Sequence, residues 1–388
     1  MARTVHFHPR RPEAMANSTP LISMFNAAVA SVSGKEAVIR ALEDRGDLQP
    51  DLIVAVGKAA SDMCLGAYSL FGEDIPAVVA TRYEHSDPLL LKNPVVTTIE
   101  SGHPVSDHKS LLAGKVMLHA VKALPADSEL LLLVSGGASA IAEHLPEDMS
   151  LDELQRMNRR LLASGKSIEE INAQRKAVSL IKGGRLLENF RGSRVTVCAI
   201  SDVQGDSIAT IGSGIGDVNR CTCTQEVILV ATNRDARDAA AARARELGYT
   251  VRHNSETLYE DVFTLAGKLG AQLREAQAGV YIWGGEPTVV LPEKPGSGGR
   301  NQSLALALAR EISGKRNIHI LAAGTDGSDG NSQAAGGWVD GSTFRFPAEA
   351  QTALDRANAG PYLSRVGQQF ETGPTGTNVM DLVIALVE

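Results

Sequence analysis

Asp51-Leu-Ile-Val-Ala-Val-Gly-Lys-Ala-Ala60 opens with an aliphatic run, stops at a glycine and resumes with helix formers. A short, wholly apolar run of that kind reads as a strand buried on both faces, and the residues from Lys58 to about Leu70 as the helix it feeds. Glu129–Val134 repeats the pattern and leads into Ser135-Gly-Gly-Ala-Ser139, a turn expected to open another helix. Further apolar runs at 77–81, 95–99, 194–200, 227–231, 280–283, 318–322 and 382–387 predict strands, with Thr288–Leu291 pairing nearby. Helical stretches at 234–247, 258–276 and 302–312 alternate with them. Ser150-x-x-Glu153 and Ser167-x-x-Glu170 both read as helix capping boxes. Strands alternating with helices predict an α/β fold, layers around parallel sheets.

The chain has 388 residues, and at ~100–200 residues per domain that suggests two or three domains. Glycine-rich loops thin out between Leu247 and Gly279, which places an N-terminal domain over 20–247 and a C-terminal one over 248–388. Residues 1–19 read as a disordered tail: Arg3, Arg10 and Arg11 are present but no apolar core of a secretory signal. Lys plus Arg is 38 against 45 Asp plus Glu, a net charge of −7 that disfavours a dedicated nucleic-acid binder. No apolar stretch approaches the ~18 residues of a membrane span. The four cysteines include no C-x-x-C pair, and Cys221-Thr-Cys223 is too close for a usual zinc pair. Reduced thiols in a cytoplasmic enzyme are the expectation.

Glycine, 37 residues in all, is clustered at the ends of the expected strands, where backbone amides can approach an anionic ligand closely. The familiar nucleotide loops are absent. The best P-loop match, ending in Gly165-Lys166-Ser167, has Arg160 where the first glycine belongs, and Gly212-Ser-Gly-Ile-Gly-Asp217 puts Asp217 in place of the third dinucleotide-binding glycine. The polar residues within the loops carry more information. Lys58, at a strand end and a helix start, suits a phosphate or carboxylate, though a solvent-facing lysine fits the sequence as well. Arg300, in Gly296-Ser-Gly-Gly-Arg-Asn-Gln302, suits bidentate anion contact. In Gly324-Thr-Asp-Gly-Ser-Asp-Gly330, one of Asp326 and Asp329 could accept a hydroxyl proton while the other holds Mg²⁺. Asp202, in Ser201-Asp-Val-Gln-Gly-Asp206, has similar placement. The lone histidines His85 and His103 read as structural.

In this order, the loops resemble the glycerate kinase type II family, with an N-terminal Rossmann-like domain and a C-terminal MOFRL domain. The likeness runs from about Leu52 to Asp381 through Ala55-Val-Gly-Lys-Ala-Ala60, Ser101-Gly-His-Pro-Val105, Ser135-Gly-Gly-Ala-Ser139 and Ile171-Asn-Ala-Gln-Arg-Lys176. It continues through Ile181-Lys-Gly-Gly-Arg-Leu186, Gly284-Gly-Glu-Pro-Thr288, Gly298-Gly-Arg-Asn-Gln302 and Gly373-Pro-Thr-Gly-Thr-Asn378. The resemblance implies a larger three-layer Rossmann-like domain and a smaller α/β domain. It also implies phosphorylation of D-glycerate by ATP with Mg²⁺, most often at the 2-hydroxyl. Active-site roles then fall on Lys58, Arg300 and Asp326, in an interdomain cleft. Ser135, Gly136, Gly137, Ser139, Gly284, Gly285 and Glu286 become candidates for the nucleotide phosphates, and Asp202 and Asp329 for the metal. A homodimer is implied by family analogy alone. Three departures stand out: Glu84 and Ala138 replace usual glycines, and the segment Ile215–Thr224 is shorter than the family's. A hydroxypyruvate reductase, a kinase of another short hydroxy acid and a ligand sensor remain the alternatives.

Overall fold

The apolar runs of the first half pair side by side as β1 (Leu52–Val56), β2 (Ala77–Arg82), β3 (Val96–Ser101), β4 (Glu129–Val134), β5 (Arg194–Ile200) and β6 (Thr224–Ala231). They form one parallel sheet in the order β3-β2-β1-β4-β5-β6. In register, Val54 lies between Val78 and Leu132. Every residue of β1 is buried, and so is all of β4 except Glu129, because a parallel sheet needs cover on both faces. The chain leaves β1 for β2 and β3, then returns to place β4 on β1's other side. Connections at that reversal run in opposite directions, which opens a crevice at the strands' carboxyl ends where doubly wound folds bind ligands. This is the Rossmann-like architecture anticipated above.

The second half builds β7 (Val251–Glu256), β8 (Gly279–Gly285), β9 (Ile318–Gly324), β10 (Gly336–Asp340), β11 (Gln369–Phe370) and β12 (Asp381–Val387). Their order is β11-β10-β9-β12-β8-β7. Only β7 and β8 run parallel; the other four pairings are antiparallel. The expectation of parallel sheets therefore holds for the first sheet and fails for this one. Residues 325–335 join β9 to β10 without a helix, so no crossover exists to make that pair parallel. The last strand, β12, is buried throughout and lies between β9 and β8.

The computed structural model describes residues 12–162 and 168–388. Most of the expected tail, residues 1–11, lies outside them, as do Gly165, Lys166 and the cap at Ser167. The described chain forms two units: residues 32–232 with 376–379, and residues 12–31 with 233–375 and 380–388. The expected division at 247/248 thus falls at 232/233, because the helix Asn233–Glu246 packs on β7 and β8. The expected tail ends sooner than 19, since a helix spans Pro12–Ser31. Its Leu21, Met24, Phe25 and Ala28 are fully buried at helical spacing, and the Phe25 ring meets Phe370 edge to face at 5.3 Å. Thr288–Leu291 is loop rather than strand, with one bridge from Thr288 to Asp261. The Ser150–Glu153 capping box forms in full.

Candidate active site

At the β1/β4 crevice, Gly57 has φ +125°, and a Cβ there would lie 2.2 Å from the Ser135 hydroxyl oxygen and 2.4 Å from its carbonyl. Only glycine lets the two strand ends approach so closely. The Lys58 amide donates to the Gly136 carbonyl at 2.9 Å, and the Ala59 amide to Ser135 Oγ at 3.0 Å. Gly137, at φ +83°, faces the His103 ring and the stem of Lys58, with approaches of 3.0 and 3.1 Å to an added Cβ. Gly136 leaves room for Asp202 and Asn378, whose side chains are bonded to each other at 3.2 Å. This unit thus gathers Lys58, His103, Gly136, Gly137, Asp202 and Asn378 at one crevice. Behind it, Glu143 and Lys182 form a fully buried ion pair, and Ser179 donates to the same carboxylate.

In the other unit, Arg300 is the first residue of the helix Arg300–Glu311. Asp381, at the start of β12 and 2% exposed, takes its guanidinium with both oxygens, at 2.5 and 3.3 Å. Glu286, just past β8, accepts from a third guanidinium nitrogen at 2.7 Å. Burial alone would depress the guanidinium, but the carboxylates of Asp381 and Glu286 outweigh it and hold Arg300 above its ordinary value. Glycine makes the space: Asp381 pairs in register with Gly285 on one side and Gly324 on the other. Asp329 accepts the amides of Asn301 at 3.0 Å and Gln302 at 2.8 Å, capping the helix that carries Arg300. Its carboxyl is pushed up to about 6 by burial. Asp326 is held in the β9 loop by the amide and hydroxyl of Ser328, both at 3.0 Å.

Several expected roles change with this geometry. Ser135 is fully buried and braces the loop that carries Lys58, so it presents no hydroxyl to a nucleotide. Gly284 and Gly285 are buried inside β8; a Cβ on Gly284 would lie 1.8 Å from Asn233, so these glycines serve packing rather than a phosphate. Glu286 is engaged by a cation and repels phosphate. Both Asp329 oxygens accept helix amides, so the work the structure shows for it is capping the helix that carries Arg300. Asp202, carrying one carboxylate beside the glycine turn, fits an ion that holds to one or two carboxylates and to substrate phosphates. No three His, Cys, Asp or Glu side chains gather as a metal cage among the described residues. His85 accepts from Arg82 Nε at 2.7 Å. His103, Asn378 and Asp381 join the candidate residues by placement; the sequence does not single them out, although all three fall within the motifs quoted above or at their end.

Comparison with known proteins places this geometry in context. The family described as "Domain of unknown function (DUF4147)" matches residues 21–247, and the MOFRL family matches residues 279–381. The D-glycerate 2-kinase of Thermotoga maritima is 33% identical, the match covering 87% of this chain and 90% of that one. The glycerate 2-kinase of Pyrococcus horikoshii is 31% identical over 97% of this chain and 95% of its own. The crystal structure of a Thermotoga maritima glycerate kinase superposes with a TM-score of 0.85 at 32% identity, covering 97% of this chain and all of that one.

Proposed function

Because this chain belongs to the glycerate kinase type II family, we propose that it transfers the γ-phosphoryl group of ATP, with Mg²⁺, to the 2-hydroxyl of D-glycerate. Lys58 carries this proposal most directly. It stands at the chain reversal of a parallel sheet, its stem against the positive-φ Gly137, where doubly wound folds bind anionic ligands. The Gly136–Gly137 turn brings backbone close to the nucleotide phosphates. Lys58 and Arg300 bind the substrate carboxylate and offset charge on the transferring phosphoryl group. Arg300 can do so once the half-exposed Glu286 yields its place to the substrate anion, while the buried Asp381 keeps the guanidinium oriented. Asp326 receives the proton of the 2-hydroxyl as its oxygen attacks the γ-phosphorus and ADP departs. Its main contribution is to orient that hydroxyl for attack. Asp202 would hold Mg²⁺, which when bound offsets the phosphate charge. The same family analogy makes the protein a homodimer, and its cysteine usage suits the cytoplasm; a monomer in sedimentation equilibrium would count against the dimer.

One assay tests the reaction and its position. Protein, ATP, Mg²⁺ and D-glycerate are mixed with enolase, which accepts the 2-phosphate but not the 3-phosphate, and phosphoenolpyruvate is followed by absorbance. A rising signal is expected. Glycerate-dependent ADP release without phosphoenolpyruvate moves the reaction to the 3-hydroxyl. Absence of both, together with NAD(P)H oxidation by hydroxypyruvate, replaces the kinase with a reductase.

A further inference from the structure

Gly212, Ser213 and Gly214 follow one another in the left-handed region, at φ +56°, +56° and +74°. That path suits glycine, and two of the three residues are glycine. Ser213 alone carries a side chain, on a backbone conformation that L residues other than Asn and Asp rarely adopt. The turn is held firmly, because the amides of Gly183 and Gly184 donate to the carbonyls of Ser213 and Gly214 at 3.0 and 2.8 Å. It also lies against the residues after β4: a Cβ on Gly212 would sit 2.9 Å from Ala138 Cβ. A serine kept at such a position points to work done by its hydroxyl.

That hydroxyl is 2% exposed as part of its residue and lies 2.7 Å from Ser139 Oγ and 3.4 Å from Asn172 Oδ1. An amide oxygen only accepts, so the Ser213 proton points at Asn172 and the Ser139 proton points at Ser213. Ser139, half-buried at the end of the Gly136–Gly137 turn, then has its proton engaged and only lone pairs left to offer. A hydroxyl oriented in this way accepts a hydrogen bond. It suits an O–H donor and is the wrong partner for a phosphate or carboxylate oxygen.

We infer that Ser213 is a positioning residue, which with Asn172 holds Ser139 as a hydrogen-bond acceptor for a hydroxyl of the acceptor substrate. This changes the part expected of Ser139 from phosphate ligand to substrate ligand, and it rests on the kinase reading above. A structural role for Ser213 would tie activity to stability. The positioning role separates them, because glycine relieves the backbone and alanine does not, while both remove the hydroxyl.

The test compares Ser213→Gly, Ser213→Ala, Ser139→Ala and the Ser213→Gly/Ser139→Ala double variant with wild type. Steady-state kinetics and thermal melts are recorded for each. Both Ser213 variants should raise KM for D-glycerate about tenfold, the scale of one lost hydrogen bond, with KM for ATP unchanged. Ser213→Gly should melt at or above the wild-type temperature and above Ser213→Ala. Ser139→Ala should match the kinetic loss, and the double variant should add nothing further. Wild-type kinetics in Ser213→Gly, a rise in KM for ATP instead, or losses that follow the melting order would each overturn the inference. A wild-type protein that phosphorylates no glycerate overturns the kinase reading and takes the inference with it.

Discussion

Arg300 shows how much a single charged residue depends on neighbours distant in sequence. With Asp381 and Glu286 both bound, its single charge is more than compensated, so an incoming anion must replace one of them. Glu286 is 47% exposed and Asp381 2%, which makes Glu286 the one to leave. Glu286→Gln is therefore expected to lower KM for glycerate several-fold with kcat retained; a large fall in kcat would give Glu286 a part of its own in the chemistry. Asp329 yields a prediction in pH. Burial raises its carboxyl to about 6, against the pull of the two helix amides, whereas an unfolded Asp titrates near ~3.9. Between those values the folded state keeps a proton that the unfolded state has lost. The resulting stabilisation is complete below the unfolded value and disappears as pH rises through about 6. Urea unfolding should show wild type gaining on Asp329→Asn between pH ~7.5 and ~5, and a pH-independent difference would refute it. Sequence reading puts Lys58, Arg300 and Asp326 in glycine-rich loops; in the structure Lys58 and Asp326 lie just past strand ends, and Arg300 opens a helix. The pairing of Arg300 with Asp381 was not legible, because it joins residues 81 positions apart. Nor was the capping role of Asp329, since an Asp-x-x-Asp spacing says nothing of a helix amide approaching from residue 301.

Elements with a single environment were the ones the sequence announced. β1, and β4 beyond Glu129, are apolar because both faces are covered, and Gly57 and Ser135 mark their ends. β7, Val-Arg-His-Asn-Ser-Glu, is a polar edge strand with no apolar alternation to betray it. β10 begins with two glycines and β11 has two residues, so neither gave a pattern. The glycine at the end of β1 was legible as a turn, but its reason was not. It is the contact with Ser135 that a Cβ would violate, together with a φ that other residues avoid. Gly57→Ala should cost about 3 kcal/mol or more, combining steric overlap with a left-handed alanine. Denaturant unfolding would measure it, and a loss under about 1 kcal/mol would mean that the strand ends can part at little cost. The helix that the glycine turn opens, Ala138–Ile141, has only four residues. The Gly136–Gly137 turn therefore owes its character to close packing and to Lys58 rather than to a helix dipole.

At the scale of the whole molecule the chain is not two consecutive domains. Residues 376–379 belong with 32–232: Gly34 donates to the Gly376 carbonyl at 3.0 Å, and Thr377 Oγ1 to that of Val32 at 2.5 Å. The chain then turns back to supply β12, the central strand of the other sheet. The helix Pro12–Ser31 belongs with that second unit too, packing on β9, β12 and the helix Asn233–Glu246. Linear boundaries inferred from composition could not show this, because both excursions are set by contacts between residues hundreds of positions apart. The consequence can be tested with one side chain. Phe25 is fully buried against Phe370, and Phe25→Ala should cost about 3–5 kcal/mol. If the first helix is part of the second unit's core, hydrogen exchange in the variant should accelerate in residues 233–375 and in β12, while β1 and β4 keep their protection. A variant that exchanges faster mainly in residues 32–232 would assign the helix to the wrong unit. One with unchanged exchange everywhere would make it an appendage.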